Sequence, residues 1–159
     1  LAGRYLLQFL FPDFPIHLIQ IADTRKPFLK DDTHHFSISH SGNYAAAIVS
    51  TSRRVGIDVE EFSEKIYRVQ DKFMNETERL VQHGLEGFYP TVIWSAKESM
   101  YKWYSRGEID FQRHLQVQRV VSKTANAGRI DALFCKNEPL PMQLPYIVWQ
   151  DIVLTWIYQ

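Results

Sequence analysis

Two acidic runs of different period constrain this chain more than any other feature of it. Val55-Gly56-Ile57-Asp58-Val59-Glu60 is β-branched and reads as a strand whose two carboxylates emerge on one face. Trp94-Ser95-Ala96-Lys97-Glu98-Ser99-Met100-Tyr101-Lys102 reads as helix, with Trp94, Glu98 and Lys102 stacked one turn apart. Three acidic oxygen donors beside a lysine suit a hard divalent cation holding a phosphate or pyrophosphate, the lysine neutralising what leaves. The pattern points to phosphoryl-type transfer.

Around these runs the order is β-rich, then helical, then β-rich, which predicts an α+β fold. A short helix is expected over 2–10, stopped near Phe11-Pro12-Asp13, and a strand over 17–22. His35 to Ser39 alternates as a strand that runs into a turn at His40-Ser41-Gly42-Asn43, followed by strands at 44–50 and 54–60. Asn75 caps a helix with Glu78 at the capping-box position, continued by Leu80 and Val81 and interrupted at Gly84 and Gly87. A longer helix should run from about Pro90 to about Ser105, with Gly107 just past its end. Strands at 115–120, 130–135, 146–149 and 152–158 complete the chain.

The 159 residues have the length of one domain, able to bury roughly 70% of the unfolded surface. Eighteen basic residues balance eighteen acidic ones, so any phosphate site must be local, and neither nucleic acid nor membrane is an expected partner. The lone Cys135 has no internal partner and no apolar run spans a bilayer, so the expected compartment is the cytoplasm. The chain opens on Leu1 without a methionine, as if entering mid-helix.

Singly, each candidate has a bland alternative. An Asp-x-Glu at a strand end often only meets water, but Gly56 before it allows close backbone approach. A Glu98–Lys102 pair is ordinarily a solvent-face helix pair, yet Trp94 on the same stripe is unusual for one. His40, flanked by Ser39 and Ser41, offers imidazole, hydroxyl and backbone donors at a bend, plausible chemistry for an anion. Lys26, in the Arg25-Lys26-Pro27 turn, and Lys97, on the helix flank, are candidate point charges for phosphate. Trp103, Tyr104 and the tryptophans near the C-terminus read as core.

In order along the chain, His35 to Ser41, Val55 to Glu60 and Trp94 to Lys102 resemble the signature blocks of the 4′-phosphopantetheinyl transferase superfamily. Arg25-Lys26-Pro27 resembles its basic Lys-Pro turn, and the resemblance covers roughly residues 1–121. A Ser-His-Ser strand precedes the Gly-Ile-Asp block, as in the larger, pseudo-dimeric Sfp-like type rather than the small trimeric one. The resemblance implies an α+β, 4′-phosphopantetheinyl transferase-like fold of two related halves, the first lacking its opening strands. Residues 1–54 would be the remainder of the N-terminal half, on the coenzyme A 3′-phosphate side, and 55–159 the C-terminal half carrying the metal site.

What it implies for function is a monomeric, Mg²⁺- or Mn²⁺-dependent enzyme. The enzyme would move 4′-phosphopantetheine from coenzyme A to a serine of an acyl or peptidyl carrier protein and release 3′,5′-ADP. Asp58, Glu60 and Glu98 would hold the metal, with Glu98 also activating the serine and Lys102 stabilising the departing phosphate. Lys26, Ser39 and His40 would lie along coenzyme A, His40 and Lys26 on its 3′-phosphate, with Lys97 a further phosphate contact. The stretch from Lys65 to Lys72, containing Arg68, would meet the acidic carrier. Two other readings of the same residues are a non-catalytic coenzyme A- or carrier-binding module and an unrelated Mg²⁺-dependent phosphohydrolase.

Overall fold

The computed structural model describes residues 2–23, 25–31, 33–80, 85 and 87–159. The N-terminal part comprises helix α1 (Ala2–Leu10), the two-residue strands β1 (Gln20–Ile21) and β2 (Pro27–Phe28), and the hairpin β3 (His35–Ser41) and β4 (Tyr44–Ser50). The strand expected over 17–22 shrinks to β1, because Ile16–Leu18 closes a 3-10 turn. Strand β3 runs two residues further than its sequence suggests, so His40 and Ser41 belong to the strand and Gly42-Asn43 alone makes the turn. Helix α1 lies on β3 and β4 over a small core of Leu7, Phe14, Leu29 and Phe36.

The C-terminal part begins with β5 (Val55–Glu61), followed by α2 (Glu64–Val69), α3 (Glu76–Leu80) and the long helix α4 (Tyr89–Tyr104). Strands β6 (Leu115–Thr124), β7 (Ala127–Phe134), β8 (Leu140–Trp149) and β9 (Ile152–Tyr158) complete an antiparallel sheet of order β5-β9-β8-β7-β6. Each half thus lays a helix on an antiparallel sheet, α1 on the hairpin and α4 on the five strands. This is the α+β architecture of the superfamily that the sequence resembles.

The capping box forms as its spacing predicts. The Asn75 N–H donates to Glu78 Oε2 at 2.8 Å and the Glu78 N–H to Asn75 Oδ1 at 2.9 Å. The continuation through Val81 and the break at Gly84 lie outside the described residues. Helix α4 carries Pro90 in its first turn and ends at Ser105, not at a glycine. Ser105 takes the left-handed conformation (φ 67°), and its Oγ donates to the carbonyls of Lys102 and Trp103, helix-end acceptors that a glycine side chain could not reach.

Strand β8 starts six residues earlier than expected and runs through Pro141 and Pro145. Over Leu140–Pro145 only β7 pairs with β8, since β9 joins it from Tyr146 onward, and a proline is tolerated where one side of the strand is an edge. Trp103 is core, as expected, but Trp149 is 58% exposed on the outer face of the sheet. No helix among the described residues is long and apolar enough to cross a membrane.

Candidate active site

Gly56, Asp58 and Glu60 alternate onto the face of β5 that meets α4. Gly56 is where helix and strand touch: a Cβ there would lie 2.1 Å from the Ser99 carbonyl oxygen and 2.8 Å from the Trp103 nitrogen. Only a glycine admits that approach. The helix is then fixed by hydroxyls. Ser95 and Ser99, one turn apart, reach Thr155 Oγ1 on β9 at 3.0 and 2.8 Å, and Thr155 sits opposite Asp58 in the strand register. With α4 held at this height, Glu98 and Lys102 face Asp58 and Glu60 across one cavity.

The other wall is β3. Its serines recur at every second position, and each addresses β5 through its side chain. Ser37 Oγ accepts from the Ile57 N–H at 3.2 Å and Ser41 Oγ from the Glu61 N–H at 3.1 Å, so hydroxyls satisfy the outer edge of β5. Ser39 Oγ donates to Asp58 Oδ1 at 2.9 Å and Ser41 Oγ to Glu60 Oε2 at 3.4 Å. The sequence carries this face as Ser37-x-Ser39-x-Ser41, a period-two run of hydroxyls in which Ser37 joins the Ser39 and Ser41 already singled out.

The resulting cavity has a volume of about 490 Å³, within the usual range for small-molecule sites. Lys26, Ser39, His40, Asp58, Glu60, Glu98 and Lys102, all singled out from the sequence, line it together with Trp94. Lys102 Nζ donates to Asp58 Oδ1 at 2.6 Å and to Ser39 Oγ at 2.8 Å. Lys26 Nζ donates to the Lys102 carbonyl and to Ser105 Oγ, anchoring the basic turn on the end of α4. Its pKa falls to about 8, chiefly through burial and then through Arg54 and Lys102.

Lys97 is a correction. It was expected to contact phosphate, but its side chain is fully buried on another face of α4, paired with Glu78 at 2.8 Å. One position before Glu98 is a turn of about 100° around the helix, enough to send the two side chains to different faces.

The carboxylates are short of compensating charge. Burial, and then the neighbouring Asp58, push Glu98 up to about 7 and raise Glu60 as well. Asp58 Oδ2 is buried without a hydrogen-bond partner. As they stand, no three acidic, imidazole or thiol groups among the described residues are gathered as an ion's ligands. Lys102 holds one oxygen of Asp58, and Trp94 Nε1 donates to Glu60 Oε1 at 3.0 Å. The donor set nevertheless suits a hard divalent cation: oxygen ligands only, one of them orphaned in the interior, two made reluctant to ionise by burial and by Asp58.

Beside the cavity, a groove of about 530 Å³ passes over Glu60, Phe62, Lys65, Ile66 and Val69 to Trp94. Lys65 and Arg68 are exposed on α2 and Lys72 just beyond it, with Arg68 paired to Glu64 at 3.3 Å.

The family model described as the 4′-phosphopantetheinyl transferase superfamily matches residues 54–148, a span that includes Asp58, Glu60, Glu98 and Lys102. The chain is also 32% identical over 114 residues to the 4′-phosphopantetheinyl transferase gsp of Aneurinibacillus migulanus, an alignment covering 67% of this chain and 46% of that protein. The chain thus spans about half the length of this curated relative.

Proposed function

Because the chain belongs to the 4′-phosphopantetheinyl transferase superfamily and is of its Sfp-like type, we propose that it transfers 4′-phosphopantetheine from coenzyme A to a serine of an acyl or peptidyl carrier protein. The serine oxygen bonds to the pantetheine-side phosphorus, the bond from that phosphorus to the bridging oxygen breaks, and 3′,5′-ADP leaves with the electron pair. The observation that carries this reading is the convergence of Asp58, Glu60 and Glu98 with Lys102 on one cavity, where Asp58 Oδ2 lies buried without a partner.

Asp58, Glu60 and Glu98 would hold Mg²⁺ or Mn²⁺. When bound, the ion supplies Lewis-acid stabilisation of charge on the pyrophosphate oxygens. Glu98 takes the serine proton, as a carboxylate beside the reacting phosphate can. Lys102, already within the cavity, neutralises the departing phosphate. Lys26 and His40 bind the 3′-phosphate, with Ser39 offering a hydroxyl beside them, and an acidic carrier docks over the groove bearing Lys65. The chain acts as a monomer in the cytoplasm.

The test is intact-mass spectrometry of an apo acyl carrier protein incubated with the protein, coenzyme A and Mg²⁺. A gain of one phosphopantetheine is expected, lost on adding EDTA and in Asp58→Ala. Glu98→Gln should keep coenzyme A binding and lose about a hundredfold or more in turnover, the scale of a removed general base. Hydrolysis of coenzyme A without any carrier would overturn the reading in favour of a phosphohydrolase.

A further inference from the structure

Lys97 and Glu78 form an ion pair with no solvent exposure on either side chain. Burying two charges is expensive unless every donor and acceptor is matched, and here they are. Lys97 Nζ donates to Glu78 Oε2 at 2.8 Å, to the Phe73 carbonyl at 2.7 Å and to the Phe111 carbonyl at 2.8 Å. Glu78 Oε2 also accepts from the Asn75 N–H, and Oε1 from the Val117 N–H at 2.8 Å.

The two carbonyls that Lys97 grips belong to the residues whose rings flank Trp94. Phe73 meets the indole edge-on at a centroid distance of 5.0 Å, and Phe111 stacks on it at 5.5 Å with 28° between planes. The clamped indole donates Nε1–H to Glu60 Oε1 at 3.0 Å. The path from Lys97 to Glu60 is therefore continuous: ammonium, two backbone carbonyls, two rings, one indole, one carboxylate.

We propose that Lys97 and Glu78 are positioning residues that aim the Glu60 carboxylate into the cavity by holding Phe73 and Phe111 against Trp94. This rests on reading Glu60 as a metal-holding carboxylate. Lys97 never touches the substrate; through Trp94 it holds Glu60 Oε1, and with Ser41 on Oε2 at 3.4 Å this fixes the angle of the carboxylate. Bonds of this outer kind typically contribute 10- to 100-fold to metal affinity by orienting the ligand.

The test uses the double variant Lys97→Met with Glu78→Gln, which removes both charges and still leaves an amide oxygen to accept from the Val117 N–H. Two quantities are read: the Trp94 indole N–H resonance by nuclear magnetic resonance, assigned with Trp94→Phe, and the Mn²⁺ dissociation constant by calorimetry. The Trp94 signal should shift and exchange faster with solvent, and Mn²⁺ should bind about tenfold or more weakly. The Trp103 indole, which donates to the Gln159 carbonyl instead, should stay in place.

An unmoved Trp94 signal with Mn²⁺ affinity within about twofold of the native protein would overturn the proposal, since that is well below the expected effect. If the double variant fails to fold, Trp94→Phe decides, because it keeps a smaller aromatic ring between Phe73 and Phe111 and removes the N–H that holds Glu60; full Mn²⁺ affinity there overturns the proposal and a matching loss supports it. Should the native protein take up no Mn²⁺ at all, the functional reading fails instead, and the Trp94 resonance alone judges the clamp.

Discussion

Asp58 meets opposite demands at its two oxygens. Oδ1 accepts from Ser39 and Lys102, while Oδ2 is buried with no partner. An unsatisfied buried acceptor costs about 1–3 kcal/mol, a loss of stability that marks a place kept open for chemistry. Glu98 adds a pH signature to the ligand-free protein. Its folded pKa of about 7 exceeds the ordinary 4.5, so the folded state holds more proton between those values. The stability this gives is complete below about pH 4.5 and is lost as pH rises through 7. Urea unfolding of the metal-free protein across that window should show stability falling, and Glu98→Gln should flatten the slope. Lys97 behaves differently: Lys97→Ala strands the Glu78 carboxylate in the interior and should cost about 3–5 kcal/mol in the same experiment.

At the scale of elements, one glycine and one threonine set the depth and height of α4. Gly56→Ala places a methyl against the Ser99 carbonyl and the Trp103 nitrogen, backbone atoms that cannot rotate aside. Helix and strand must part, costing about 1–3 kcal/mol by overpacking. Because Glu98 and Lys102 ride on that helix, metal affinity and thermal stability should fall together, which calorimetry and a melting curve would detect. Thr155→Val removes the hydroxyl that Ser95 and Ser99 share but keeps their main-chain acceptors, the Asp58 and Thr155 carbonyls; a loss of about 0.5–1.5 kcal/mol is expected on unfolding. These elements were legible in advance because their periods are local. The 55–60 run alternates, the 94–102 run repeats by turns, and the Asn75–Glu78 box closes within one helical turn. The first half of β8 was not legible in this way: it holds Pro141 and Pro145, which the pairing of β8 with a single neighbour over that stretch permits.

Across the whole molecule, hydroxyls join the two halves where a continuous β-ladder does not. Ser37, Ser39 and Ser41 reach from β3 to the edge of β5, and the basic turn reaches α4 through Lys26. Replacing Ser37 and Ser41 by alanine should leave the five-stranded core protected while β3 and β4 exchange their amide hydrogens faster, by about tenfold if the two bonds together contribute about 1.4 kcal/mol. Equal acceleration in β7 and β8 would show that the serines support the entire fold instead. The hydrophobic clusters support the asymmetry of this prediction, since the larger one lies wholly on α2 to β9 and the smaller on α1 to β4 with the segments between them.

The sequence by itself determined the type and order of the longer elements, though not α2 or β2, and also the family resemblance and the identity of the charged side chains, because period, capping and motif spacing are properties of neighbours along the chain. Tertiary structure alone decided which charges share a cavity. Lys97 and Glu98 are adjacent in sequence, yet one neutralises Glu78 in a sealed interior and the other faces Asp58 across open space. Helical rotation separates them, but what lies on each side of the helix depends on residues tens of positions away: Phe73 and Glu78 on one, Ser39 and Asp58 on the other. Burial and charge proximity depend on three-dimensional distance, so the raised Glu98, the orphaned Asp58 oxygen and the Trp94 clamp exist only once α4 has settled onto β5.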